Sequence, residues 1–111
     1  MKRVIQKIAI RQAASELTIV VKGNGPLAYR LSPVHSLRLS LDLPHAVSGI
    51  RFQVLPVDHQ LLKQIRIGQH PKKLRLVFDL NHPLDQGLTY AIRAGGDQLT
   101  VLLSLATPHH P

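Results

Sequence analysis

Six short runs of this chain place an apolar residue at every second position: IAI at 8–10, LTIVVK at 17–22, LRLSLDL at 37–43, IRI at 65–67, LRLVFDL at 74–80 and LTVLLSL at 99–105. A period of two puts those residues on one side of an extended backbone and leaves the other side to water, so each run predicts a half-buried strand. Turn formers separate the runs: GNGP, SPVHS, NHPLDQG and AGGD. Short strands punctuated in this way predict an all-β antiparallel sandwich or barrel with Leu and Ile inside. Only DHQLLKQ, with Asp58 as an N-cap, reads as a short helical turn.

The runs also repeat. LRLSLDLPH and LRLVFDLNH agree at six of nine positions, an offset of 37, but the agreement stops on both sides. At an offset of 57 it runs further: Ile8 with Ile65, Ile10 with Ile67, Gln12 with Gln69, Leu17 with Leu74, Val20 with Val77, Asn24 with Asn81, Pro26 with Pro83 and Leu27 with Leu84. Past the insertion DQGL, Tyr29 meets Tyr90, and Leu37, Leu39, Leu41 and Leu43 meet Leu99, Val101, Leu103 and Leu105. Alternating Leu and Ile match by accident in any all-β chain. The Asn-x-Pro pairs are harder to obtain by accident, since Asn caps turns and Pro stops a hydrogen-bond ladder. The expectation is a single domain over 1–111 built from a duplicated unit, about 5–47 and 62–106 with a linker at 48–61, folded as a sandwich of two symmetry-related four-stranded sheets.

Lys and Arg number 14 against 6 acidic residues, a net charge of +8, so the surface should attract anions such as nucleic acid, acidic lipid or carboxylate-bearing polymers. Cysteine is absent, which excludes disulfides, thiolate zinc sites and thiol catalysis. No apolar run approaches the roughly 18 residues of a membrane helix, so no membrane insertion is expected. The opening MKRVIQKIAIRQAAS has the outline of a signal peptide, but Gln6, Lys7 and Arg11 interrupt it, and a first strand is the better reading. His35, His45, His59, His70, His82, His109 and His110 mostly adjoin Pro or turn residues without metal-ligand spacing. With no nucleophile elbow, no phosphate loop and Glu16 as the sole glutamate, neither catalysis nor a metal or other cofactor is expected.

KQIRIGQ at 63–69, followed by LRLVFDL, a Tyr-containing strand and LTVLL, resembles the second half of an AMIN domain, and LTIVVKG through LRLSLDLP resembles its first half. The resemblance spans about residues 5–105. Its most specific pieces are IRIGQ and the Arg-x-x-x-Asp strands at 38–42 and 75–79. It implies a non-catalytic periplasmic module of the kind attached to cell-wall amidases and type IV pilus secretins. That module would bind peptidoglycan, target its parent to sites such as the division septum, and fold as two symmetric sheets. The chain would then be an excised part of an exported bacterial protein. In the first half Arg11-Gln12 replaces Gly-Gln, and Thr18 and Lys22 replace the Arg and Asp of LRLVFDL, so a family role for those positions is not carried over.

Strand alternation puts Arg38, Ser40 and Asp42 on one outer face, and Arg75, Val77 and Asp79 likewise. Arg38 and Asp42 lie about 13 Å apart along a strand, too far to pair with each other, but each can meet an opposite charge on a neighbouring strand. Cross-strand ion pairing is one reading of these residues. The other is that Arg38, Arg66 and Arg75 hold carboxylates of peptide stems or lactyl ethers, while Asp42, Asp79 and Gln69 exchange hydrogen bonds with glycan hydroxyls and amides. Tyr29, Phe52, Phe78 and Tyr90 are the only aromatics, three of them at positions that fit the interior, which argues against stacking on single-stranded nucleic acid. Nucleic-acid binding therefore rests on charge alone. A protein-docking module of an envelope complex, using Val20, Val77 and Leu102 or an added strand to meet divisome or pilus proteins, is the other alternative.

Overall fold

A computed structural model describes residues 2–106. It contains ten strands: β1 (Arg3–Gln12), β2 (Glu16–Gly23), β3 (Arg30–His35), β4 (Arg38–Pro44), β5 (Ala46–Ser48), β6 (Val54–Pro56), β7 (Leu62–His70), β8 (Lys73–Leu80), β9 (Leu88–Gly95) and β10 (Gln98–Leu105). Every alternating run lies within a strand except at Leu37, expected inward with Leu39 but placed in the β3-β4 turn and 39% exposed, and there is no helix among the described residues. DHQLLKQ is not helical. Leu61 and Leu62 are both buried in the core, and the backbones of His59 and Leu62 bond each other in both directions, closing a tight turn that delivers Leu62 into β7. Asp58 takes a left-handed backbone (φ 54°) in place of a cap, so burial of two consecutive leucines overrides the local capping signal.

The strands form two sheets of five, ordered β5-β1-β2-β10-β9 and β3-β4-β8-β7-β6, where four apiece were expected. The additional strands come from around the linker: β5 lies parallel to β1, and β6 antiparallel to β7. The halves are also interleaved. Hairpins β1-β2 and β9-β10 share the first sheet, while β3-β4 and β7-β8 share the second, so each half of the chain contributes a hairpin to each sheet.

Registers repeat along with the sequence. Ile10 pairs with Ile19 in β1-β2, and Ile67 with Leu76 in β7-β8, both positions having moved by 57. Each ladder slips at the corresponding place, between Ile5 and Lys7 and between Leu62 and Gln64, as a β-bulge does. Asn24 donates its backbone N–H to the Val4 carbonyl (3.1 Å), and Asn81 does the same to Leu61 (3.0 Å). Their side chains reinforce the tie: Asn24 Oδ1 accepts from Val4 N, and Asn81 Nδ2 donates to the His59 carbonyl. The central junctions differ by two residues. Ile19 faces Val101 in one, whereas Leu76 faces Leu41, not Leu39, in the other. An even slip keeps the same side chains pointing inward.

One core lies between the sheets. Ile5, Leu17, Ile19, Val21, Leu99, Val101 and Leu103 from the first meet Leu39, Leu41, Leu43, Ile65, Leu74, Leu76 and Phe78 from the second, all fully buried. Each such side chain contributes about 1.5–3 kcal/mol by leaving water. Of the aromatics only Phe78 is interior; Tyr29, Phe52 and Tyr90 are 41%, 43% and 38% exposed. Tyr90 does stand opposite Leu103 on the core side, but β9 is an edge strand, and the core does not extend far enough to cover its ring.

Candidate functional site

The outer face of the second sheet follows from its pairing. Arg30, Asp42, Arg75 and Gly68 form one cross-strand row, Ser32, Ser40, Val77, Arg66 and Val54 a second, and Arg38, Asp79 and Gln64 a third. Alternation brings these side chains out on the same side because the opposite face of β4, β7 and β8 is turned to the core through Leu39, Leu41, Leu43, Ile65, Leu74, Leu76 and Phe78.

Two carboxylates organise this face. Asp79 accepts Arg66 Nε (2.7 Å) and Nη2 (2.9 Å), Gln64 Nε2 (2.8 Å) and Arg38 Nε (3.3 Å). Asp42 accepts Arg75 Nε (2.7 Å) and Nη2 (3.1 Å), Lys73 Nζ (3.1 Å) and the Ser40 hydroxyl (3.4 Å). The fork of Arg75 holds the Asp42 carboxyl down at about 2, against the upward push of partial burial and with help from Lys73. At Asp79 burial pushes upward, but hydrogen bonds from Arg66 and Gln64, the Arg66 charge and Arg38 outweigh it and leave the carboxyl below its usual range. In return Asp79 and Asp42 raise the guanidinium pKa of Arg66 and Arg75.

The carboxylates are mostly covered (16% exposed), whereas the cations around them remain 36–50% exposed. A bidentate contact uses two of the five N–H groups of a guanidinium, leaving three for an external acceptor. Asp79 and Asp42 thus fix Arg66 and Arg75 in one orientation without exhausting them. They have little capacity left to accept from a ligand themselves.

Gly68 opens the space beside these arginines. It lies between Arg66 and His70 on the outward side of β7, opposite Arg75. A Cβ there would meet only His70 Nε2 at 3.6 Å and the Arg75 carbonyl at 3.9 Å, ordinary contacts, so the backbone does not demand glycine. What glycine supplies is room: a cleft of about 350 Å³, walled by Arg66, Arg75, His70, Val54 and Val77. A second depression of about 430 Å³ adjoins it, bounded by Arg38, Lys63, Gln64, Arg66 and Asp79. Arg66 stands between the two. None of the exposed aromatics lines either cleft.

The structure therefore brings Arg38, Asp42, Arg66, Arg75 and Asp79 together and sets Gln69 apart. Gln69 pairs with Leu74 on the core side of β7. Its Nε2 donates to the carbonyls of Ala46, His70 and Lys73, and its Oε1 accepts from Ser48 N, which ties β5 to the β7-β8 turn. Gln64, Lys73 and the gap at Gly68 were not foreseen as parts of this face. Gln64 and Lys73 have the same strand parity as Arg66 and Arg75, so alternation carried that signal; Val54, outside any alternating run, gave none. Val20 and Leu102 lie on the outer face of the first sheet and Val77 on that of the second, so the three do not form one patch. His59 and His82 bond backbone carbonyls, and no group of metal-capable side chains forms among the described residues. His109 and His110 lie outside them.

No curated protein matches the chain. The family model of the AMIN domain matches residues 7–103. That span runs from β1 to β10 and takes in both hairpins of each sheet together with the arginine–aspartate face. The chain belongs to the AMIN domain family.

Proposed function

We propose that the chain is a non-catalytic peptidoglycan-binding module that localises an attached envelope protein, such as an amidase or a pilus secretin, in the periplasm. AMIN domains are peptidoglycan-binding and localisation modules that occur in exported proteins. The observation that carries the reading is the pair of arginines, Arg66 and Arg75, each held by a carboxylate beside the cleft left by Gly68. Wall peptide stems and lactyl ethers present carboxylates, which a pre-oriented guanidinium engages with little ordering cost. Arg38 extends the cationic edge of the second depression. Asp42 and Asp79 serve as orienting groups, Gln64 is a donor toward glycan oxygens, and Gln69 acts at a distance by fastening β5. The matching registers, bulges and asparagine ties of β1-β2 and β7-β8 support descent from one duplicated unit.

Co-sedimentation with purified sacculi tests the proposal. The protein should pellet with the wall; Arg66→Ala with Arg75→Ala should reduce retention at least tenfold, and Gly68→Val should reduce it with the fold intact by circular dichroism. Retention unchanged in these variants would remove the face from the site.

Docking to a protein partner is favoured by a separate observation. β9 is an eight-residue edge strand without proline, whereas the other long edge, β3, is interrupted by Pro33. An open edge can accept an added strand. Capture of an envelope protein in the absence of wall material, abolished by Ala91→Pro, would favour this second reading.

A further inference from the structure

The outer face of the first sheet carries Lys7 and Arg11 on β1, Lys22 on β2 and Arg93 on β9, and none of them enters an ion pair among the described residues. Lys7 stands directly opposite Lys22, a like-charge pairing that opposes strand association and that no ion pair among the described residues offsets. Of the acidic residues, Glu16 stands on this face at its Ser104 end and Asp97 lies in the β9-β10 turn, and neither forms an ion pair with these cations among the described residues. The charges are spread in two dimensions. Lys7 and Arg11 are about 13 Å apart along β1, and Arg93 lies three strands away, about 14 Å. Between them are Ala9, Val20, Thr100 and Leu102, with depressions of about 330 and 250 Å³.

We propose that this face docks against a layer of anionic phospholipid headgroups. A triangle of unpaired cations, with Lys7 and Lys22 together at one corner and Arg11 and Arg93 at the others, encloses a small apolar centre and matches a planar array of phosphates. It offers no linear track for a nucleic-acid backbone and no aromatic platform for a base. The surface lies on the opposite side of the core from the Arg66–Arg75 face, so wall and lipid could be engaged together. The inference does not depend on the peptidoglycan reading.

Sedimentation with vesicles of phosphatidylcholine containing one quarter phosphatidylglycerol, at low salt, tests it. The protein should bind these and not pure phosphatidylcholine. Each cation near an anionic surface contributes about a fivefold factor, so Lys7→Gln with Lys22→Gln should weaken binding about 30-fold, and adding Arg11→Gln and Arg93→Gln about a thousandfold. Arg38→Gln with Arg75→Gln should leave vesicle binding nearly unchanged. Absence of binding to acidic vesicles, or an equal loss from both faces, overturns the proposal. A single-stranded oligonucleotide or polyglutamate retained through the same four residues while vesicles are not would overturn it in favour of those partners. Sacculus retention measured on the same variants separates the two sites: the Lys7/Lys22 variant should retain the wall, and loss of wall binding alone leaves the lipid inference standing.

Discussion

The hairpins β1-β2 and β7-β8 share a register and a bulge, yet their outward faces differ in kind. At an offset of 57, Lys22 stands where the other hairpin has Asp79, Thr18 where it has Arg75, Ala9 where it has Arg66, and Arg11 where it has Gly68. On the second sheet two carboxylates gather four cations into fixed nodes and a glycine leaves a cleft beside them. On the first sheet the cleft position carries an arginine, and the carboxylate position carries a second lysine facing Lys7. With the backbone equivalent, the contrast must come from side chains. A strand-paired carboxylate determines whether a basic face presents oriented forks or a diffuse field of charge.

The largest expected effect that could break this comparison is on stability. Asp79→Ala leaves the Arg66 fork, Gln64 and Arg38 without their acceptor and should cost about 1–2 kcal/mol, toward the low end of such losses because the cations are solvated. Lys22→Ala at the corresponding position should change stability by less than about 0.5 kcal/mol. Equal losses in urea unfolding would mean that the two faces are energetically alike. A smaller effect is expected from acid. Because the Asp42 carboxyl lies at about 2 in the folded chain, below its unfolded range near 3.9, its contribution is complete above about pH 4 and is lost as pH falls through 2. The stability gap between wild type and Asp42→Asn should therefore close over that window; a gap that persists below pH 2 would show that charge is not its source. The smallest expected change is a gain. Lys22→Asp converts the Lys7–Lys22 opposition into an attractive cross-strand pair and should stabilise by roughly 0.2–1 kcal/mol, whereas a loss would mean that the like-charge pairing carries no strain.

Much of this arrangement was legible because strand parity is local. Counting in twos from Leu39 and Leu74 places Arg38, Asp42, Arg75 and Asp79 outward, and charges too far apart on one strand must find partners on the next. The same count along Ile65 and Ile67 sends Gln69 inward, so its separation from the site was present in the sequence, although the fact that it fastens β5 was not. β5 and β6, three residues each, have too little alternation to register and owe their existence to the long strands they lie against. Asp58 misled for a related reason: a capping preference worth about 1 kcal/mol cannot compete with placing both Leu61 and Leu62 in the core. The five-strand sheets and interleaved halves depend on pairings between distant segments, which a local pattern does not encode.

That interleaving governs how the molecule is made. The ladder joining Lys22 to Gln98 spans most of the polypeptide, so during synthesis β2 emerges early and keeps one bare edge until the last strand arrives. Slow, late-closing assembly follows, with exposure to misassociation in the interval. Scission in the 49–53 loop would yield two fragments, each lacking about half of both sheets and so unable to close the core alone.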